Sequence, residues 1–169
     1  MPQNKKENIK TQKELLNDFQ DNWRNYAFQS LLATLSIFAS LMFLNIHRHP
    51  IIIASIGAST FIIFAMPKSL TAQPKRLIGG HSVGIIIGSL SGLIHCINPF
   101  DQMFIYAIAV GFSIFLMVAL DMEHPPAAGT ALALSVNGFS FTAVLSVLIG
   151  VLILSLIKHL LKPALKDLF

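Results

Sequence analysis

Residues 26–46 run 21 positions without a charged side chain. As a helix that is about 31 Å, the thickness of a bilayer's hydrocarbon core. The pattern recurs. Residues 103–120 and 141–157 are also uncharged, and residues 77–97 carry nothing ionisable beyond His81, His95 and Cys96. Residues 51–66 give a shorter run of about 24 Å, and residues 127–136 one of about 15 Å that stops at Asn137-Gly138, a strong turn signal. Backbone polar groups in lipid must be paired internally, so runs of this kind become helices. The expectation is an all-α, polytopic transmembrane helix bundle of about six membrane segments.

Charge falls in the gaps. Of 12 Lys and Arg, five lie in the first 24 residues and three in the last 12; Arg48, Lys68, Lys75 and Arg76 separate apolar runs. Charged residues make up 12% of the chain and apolar residues 54%; a soluble domain carries about twice that charge. The formal charge of +4 comes without a basic–aromatic patch, so it reads as loops holding positive charge rather than as a nucleic-acid surface. With the N-terminus inside, residues 67–76 are also inside, and six crossings put Lys158, Lys162 and Lys166 inside too. A re-entrant 127–136 segment would put those lysines outside, so the positive-inside rule favours the crossing. Both termini are expected to be cytoplasmic, in a bacterial inner membrane. The only cysteine, Cys96, excludes a disulfide framework and Cys-based metal sites within one chain.

The first 25 residues mix Lys with Asp and Glu, unlike a signal or transit peptide. Leu15, Leu16, Phe19 and Trp23 share one helical face, so residues 11–24 read as an amphipathic helix on the membrane surface. The expected organisation is an N-terminal segment 1–24, a transmembrane unit 25–158 and a tail 159–169.

The order of elements repeats. Residues 26–97 run long helix, His49-Pro50, a shorter segment with Gly57-Ala58-Ser59-Thr60, then a helix; residues 103–157 run long helix, His124-Pro125, a short segment with Gly129-Thr130-Ala131, then a helix. Three crossings per half would invert the second half relative to the first, which is transporter logic with binding at the repeat interface.

Asp121-Met122-Glu123-His124-Pro125-Pro126-Ala127-Ala128-Gly129-Thr130-Ala131 is the most informative stretch. Pro125 and Pro126 end one helix and suit the first turn of the next. The amides of Ala128, Gly129 and Thr130 are expected to project from that helix end, where a small anion can sit, with the Thr130 hydroxyl and His124 beside it. The tight-corner alternative has small residues packing helices together and His124 bonding a carbonyl. Asp121, Glu123 and His124 could instead form a cation site. Gly80 permits close backbone approach and places His81 near the same site, and the apparent repeat adds Ser59 and the opposite helix start at residues 51–55. Gly84, Gly88 and Gly92 form a small-residue face for packing within the chain or between copies.

With these residues laid out, the chain resembles the HPP family of integral membrane proteins. His124-Pro125-Pro126 matches the family's namesake motif, and Ala72-Gln73-Pro74 followed by Gly79-Gly80-His81 matches its second hallmark, over roughly residues 26–157. Lys75 stands where the family usually has Arg. The resemblance implies a bundle commonly described with four spanning helices, and nitrite transport in plant and cyanobacterial members. The functional expectation is therefore a non-enzymatic transporter or channel for nitrite or a similar small anion, without a cofactor. The anion would be held by His124, Pro125, Pro126, Ala128, Gly129, Thr130, His81, Gly80 and Ser59. Its partners would be membrane lipid and further copies of the chain, with no nucleic acid. The other readings are a structural or regulatory membrane subunit and a metal-dependent membrane protein using Asp121, Glu123 and His124.

Overall fold

The computed structural model describes residues 12–42 and 50–168, with side chains from residue 16 onward, position 18 apart. Residues 1–11, the 43–49 connection with Arg48 and His49, and Phe169 lie outside the described residues. The described residues form six helices and no strand: α1 (Gln12–Met42), α2 (Pro50–Ala65), α3 (Pro74–Ser91), α4 (Pro99–Ala119), α5 (Pro126–Asn137) and α6 (Phe141–Leu161), with 3-10 turns at Leu70–Ala72 and Lys162–Ala164.

Local chemistry sets most of the boundaries. Pro50, Pro74, Pro99 and Pro126 each open a helix, where a missing N–H costs nothing. Asn98 and Ser140 cap α4 and α6 by accepting from Phe100 N and Ala143 N. Gly138, at φ 75°, turns the chain out of α5. The end of α4 is a Schellman motif with Asp121 in the left-handed position, at φ 54°: Met122 N bonds Met117 O and Asp121 N bonds Val118 O.

Three expectations are corrected. Of the helix expected over residues 11–24, the described part, 12–24, is not separate, because α1 runs unbroken from Gln12 to Met42. The third helix stops at Ser91, capped at Gly92, rather than reaching residue 97. The fourth begins at Pro99 rather than 103, because a first helical turn accommodates Asp101 and the Gln102 side chain holds Cys96 N and Ile94 O.

The short helices lie inside and the long ones outside. α5 buries Pro126, Ala127, Thr130, Ala131, Ala133, Leu134 and Ser135, and α2 buries Ile52, Ser55, Ile56, Ser59, Thr60 and Ile63. α4 buries only Ala109, Ser113 and Met117, and turns Phe104, Phe112 and Phe115 outward. α4 and the α6 stretch are long and apolar enough to cross a membrane; α2 is equally apolar but shorter. An exterior this greasy is a liability in water and suited to lipid.

The tightest packing joins α3 to α5. A Cβ on Gly84 would lie 2.5 Å from Ala127 O, and one on Gly88 2.5 Å from Ala131 O. Gly92 meets Leu134 O in the same way. The four-residue glycine spacing thus lets two backbones touch within the chain, so that face is not open to a second copy.

The main pairings are α1 with α2 and α6, α4 with α5 and α3, α2 with α5 and α6, and α3 with α5 and α6. Exchanging α1 with α4, α2 with α5 and α3 with α6 returns this set unchanged. The C-terminal tail packs back on the bundle. Buried Gln29 donates to Phe64 O and Lys166 O and accepts from Lys166 N, while Leu168 N bonds Ala65 O.

Candidate functional site

Where α2, α3 and α5 meet, five polar side chains are sealed in the bundle: Ser55 and Ser59 from α2, His81 from α3, His124 from the turn before α5, and Thr130 from α5. His81, His124, Thr130 and Ser59 have no exposed surface at all. Ser55 lies 2.9 Å from Thr130 Oγ1, and Thr130 2.9 Å from His81 Nδ1. Ser59 Oγ bridges the two imidazoles, 3.0 Å from His81 Nε2 and 2.9 Å from His124 Nε2. The rings lie 5.2 Å apart, tilted by 50°. His124 Nδ1 lies 2.8 Å from Thr71 O, the carbonyl of the Leu70–Ala72 turn.

Proton positions follow from the acceptor at the end. A carbonyl only accepts, so His124 Nδ1 carries a hydrogen, and Nε2 of the neutral ring is an acceptor. Ser59 then donates to His124, His81 Nε2 donates to Ser59 and Thr130 donates to His81 Nδ1, while the Ser55 hydrogen has two acceptors in reach, Thr130 Oγ1 and Pro126 O. The groups point head to tail toward Thr71 O. Ser59 Oγ also lies 3.0 Å from Ser55 O. With one proton added to His124, its Nε2 donates to Ser59, and Ser59 turns its own hydrogen to Ser55 O. Two settings therefore differ by one proton and one hydroxyl rotation.

The helix-end amides at the start of α5 are largely committed within the chain. Pro125 and Pro126 have no N–H, Ala127 N bonds His124 O at 2.9 Å, and Ala128 N bonds Pro125 O at 3.2 Å. Gly129 and Thr130 are already inside the helical ladder that begins at Pro126. The orphan amides belong to residues 125–128, and two prolines and two short-range bonds use them up. Among the expected site residues, His124, His81, Ser59 and Thr130 converge. Pro126 contributes its carbonyl to Ser55 Oγ, whereas Pro125 is exposed. Ala128 packs against the apolar group around Val83, Met117 and Ala127. Gly129 borders Ser55, and a Cβ on Gly80 would lie 2.7 Å from His124 Cβ; both make room and offer no ligand atom. At the start of α2, residues 51–55 add the Ser55 hydroxyl and the Ser55 carbonyl to the polar cluster. The side chain of Ser55 and the carbonyl of Thr71 are the two participants missed. Their signal was a serine four residues before Ser59, on the same helical face, and the Ala72-Gln73-Pro74 hallmark beside Thr71.

The acidic residues face elsewhere. Arg76 pairs with both Asp121 and Glu123, and Lys75 Nζ lies 3.0 Å from Asp121 Oδ2. The Lys75 hydrogen bond, with the Arg76 charge, holds the Asp121 carboxyl below its ordinary pKa against a smaller burial effect. His124 turns away to Ser59 and Thr71, so these three residues do not share a metal. Among the described residues no three His, Cys, Asp or Glu side chains gather closely enough to hold one.

A buried polar cluster inside a helical bundle, beside a His-Pro-Pro corner, points to a family of membrane proteins. The chain belongs to the HPP transmembrane-region family, which matches residues 19–166. It is 39% identical over 82 residues to a transmembrane protein of Dictyostelium discoideum, covering 48% of this chain and 29% of that protein. A second transmembrane protein of that organism is 35% identical over 81 residues, covering 48% and 26%. The chain thus spans less than a third of the length of these curated relatives. No solved structure matches.

Proposed function

We propose that this membrane protein transports a small inorganic anion of nitrite's size and charge, and that the five-side-chain polar cluster is its central site. One observation carries the reading: hydroxyls and imidazoles converge, with no exposed surface, where helices of the two halves meet. Buried polar groups in a membrane bundle mark substrate or proton paths. The HPP resemblance adds nitrite as the first anion to try. The donors offered are side-chain O–H and N–H groups, not helix-end amides. The chain of hydrogen bonds ending at Thr71 O would represent the occluded state without substrate, which opens when Ser59 turns and a hydrogen from Thr130 or an imidazole becomes available.

The exchangeable helix pairings support two inverted halves of three helices each, six crossings in all, around this site. The concentration of Lys68, Lys75, Arg76, Lys158, Lys162 and Lys166 at one end supports placing that end and both termini on the cytoplasmic side of a bacterial inner membrane. Residues 12–24, with Leu16, Phe19 and Trp23 exposed, would continue α1 into the headgroup region.

The second reading is a structural or regulatory membrane subunit. The specific observation in its favour is that each side chain of the cluster already has a partner, which suits a lock as well as a binding site. Proteoliposomes loaded with a nitrite-sensitive dye separate the two. Transport predicts nitrite entry above empty vesicles under a proton gradient of one direction, and no uptake in either direction overturns it.

A further inference from the structure

On the face that holds the Leu70–Ala72 turn, a cavity of about 440 Å³ opens among Pro67, Lys68, Gln73, Lys158, His159 and Lys162. Three lysines and a histidine line it, and no carboxylate does. Asp167 lies nearby, outside the lining: its Oδ1 accepts from Lys68 N, and its charge reaches Lys158 only through space. Lys158 is only 7% exposed, and its ammonium donates to Ala72 O. Among the described residues no carboxylate forms an ion pair with Lys158. A buried ammonium has three donors, and a neutral carbonyl satisfies one of them without balancing the charge. The C-terminus of α6 favours cations in its last turn, yet its partial charge does not neutralise several full ones.

We propose that this cavity binds a phosphate-type oxyanion, supplied either as the headgroup of an anionic phospholipid or as free inorganic phosphate. Lys158 is the buried anchor, while Lys68 and Lys162 close over the anion from the exposed rim. The volume corresponds to roughly fifteen waters, enough for a glycerophosphate headgroup and more than a lone ion needs. Basic pockets at a membrane interface recognise such groups by the same chemistry. The proposal is independent of what crosses the membrane, since none of these side chains belongs to the polar cluster.

Two arms test it. Protein reconstituted in bilayers of equal phosphatidylglycerol and phosphatidylcholine is released for native mass spectrometry, and detergent-solubilised protein is titrated calorimetrically with inorganic phosphate. The expected result is preferential retention of phosphatidylglycerol, saturable phosphate binding, or both; which arm responds identifies the source. Lys68→Gln with Lys162→Gln should weaken the responding arm about tenfold or more. Lys158→Arg should retain it, and so should Arg24→Gln, which removes an exposed charge outside the cavity. No lipid preference together with no phosphate binding overturns the proposal. So does an equal loss from Arg24→Gln, because bulk charge would then suffice.

Discussion

Ser59 has one hydrogen and three neighbours: Ser55 O and the Nε2 atoms of His81 and His124. Replacing it with alanine strands two imidazole nitrogens where water does not reach. Each orphaned polar atom costs about 1–3 kcal/mol, so Ser59→Ala should lower the denaturant midpoint measurably in detergent while leaving helix content intact. An unchanged midpoint would mean that the cluster relaxes onto other partners. Asp121 combines a left-handed backbone with charge. Its carboxyl titrates below its ordinary value of 3.8, so the ion-pair contribution is complete above that pH and is lost as pH falls through the lower folded value. Asp121→Asn, which tolerates the same φ, should remove that acid-dependent part of the unfolding curve, read by circular dichroism from pH 6 down to about 2. Four members of the cluster were legible as residue types: His124 and Thr130 in the His-Pro-Pro stretch, His81 through the close approach that Gly80 allows, and Ser59 through the apparent repeat. The amide donors were misjudged because helix ends are counted from the cap, and the cap is Pro125 rather than a later residue.

Among the elements, α3 and α5 define the core contact. Gly88→Ala puts a methyl group 2.5 Å from Ala131 O and 2.9 Å from Leu134 Cβ, which should destabilise the fold by about 1–3 kcal/mol. Gly111 on α4 has nothing within 4 Å of an added Cβ, so Gly111→Ala should be neutral or stabilising by up to about 1 kcal/mol. Thermal unfolding of both variants in one detergent checks the contrast, and equal losses would contradict the packing. The four-residue glycine spacing was readable as a packing face; its partner was not. Ala127 and Ala131 repeat at the same interval on α5, but which backbone enters a groove depends on the tertiary arrangement. Helix ends at 91 and 99 were misplaced because a His-Cys pair and a single Asp say little about where a capped turn begins.

For the molecule as a whole, the all-helical class followed from charge-free runs, and in α1–α3 and α4–α6 alike the middle helix is the shortest. Orientation has a direct handle. Cys96 lies in the α3–α4 connection, at the opposite end of α3 from the Leu70–Ala72 turn. With both termini cytoplasmic, a membrane-impermeant maleimide should label Cys96 in intact cells, and labelling only after lysis would reverse the topology. The transport reading is tested most directly by initial nitrite uptake into proteoliposomes carrying the wild type, Ser59→Ala or Gly111→Ala, at matched amounts of folded protein. Uptake should fall about tenfold or more in Ser59→Ala, as expected for loss of a buried polar contact, and stay at the wild-type rate in Gly111→Ala. Wild-type uptake by Ser59→Ala would remove the polar cluster from the transport path.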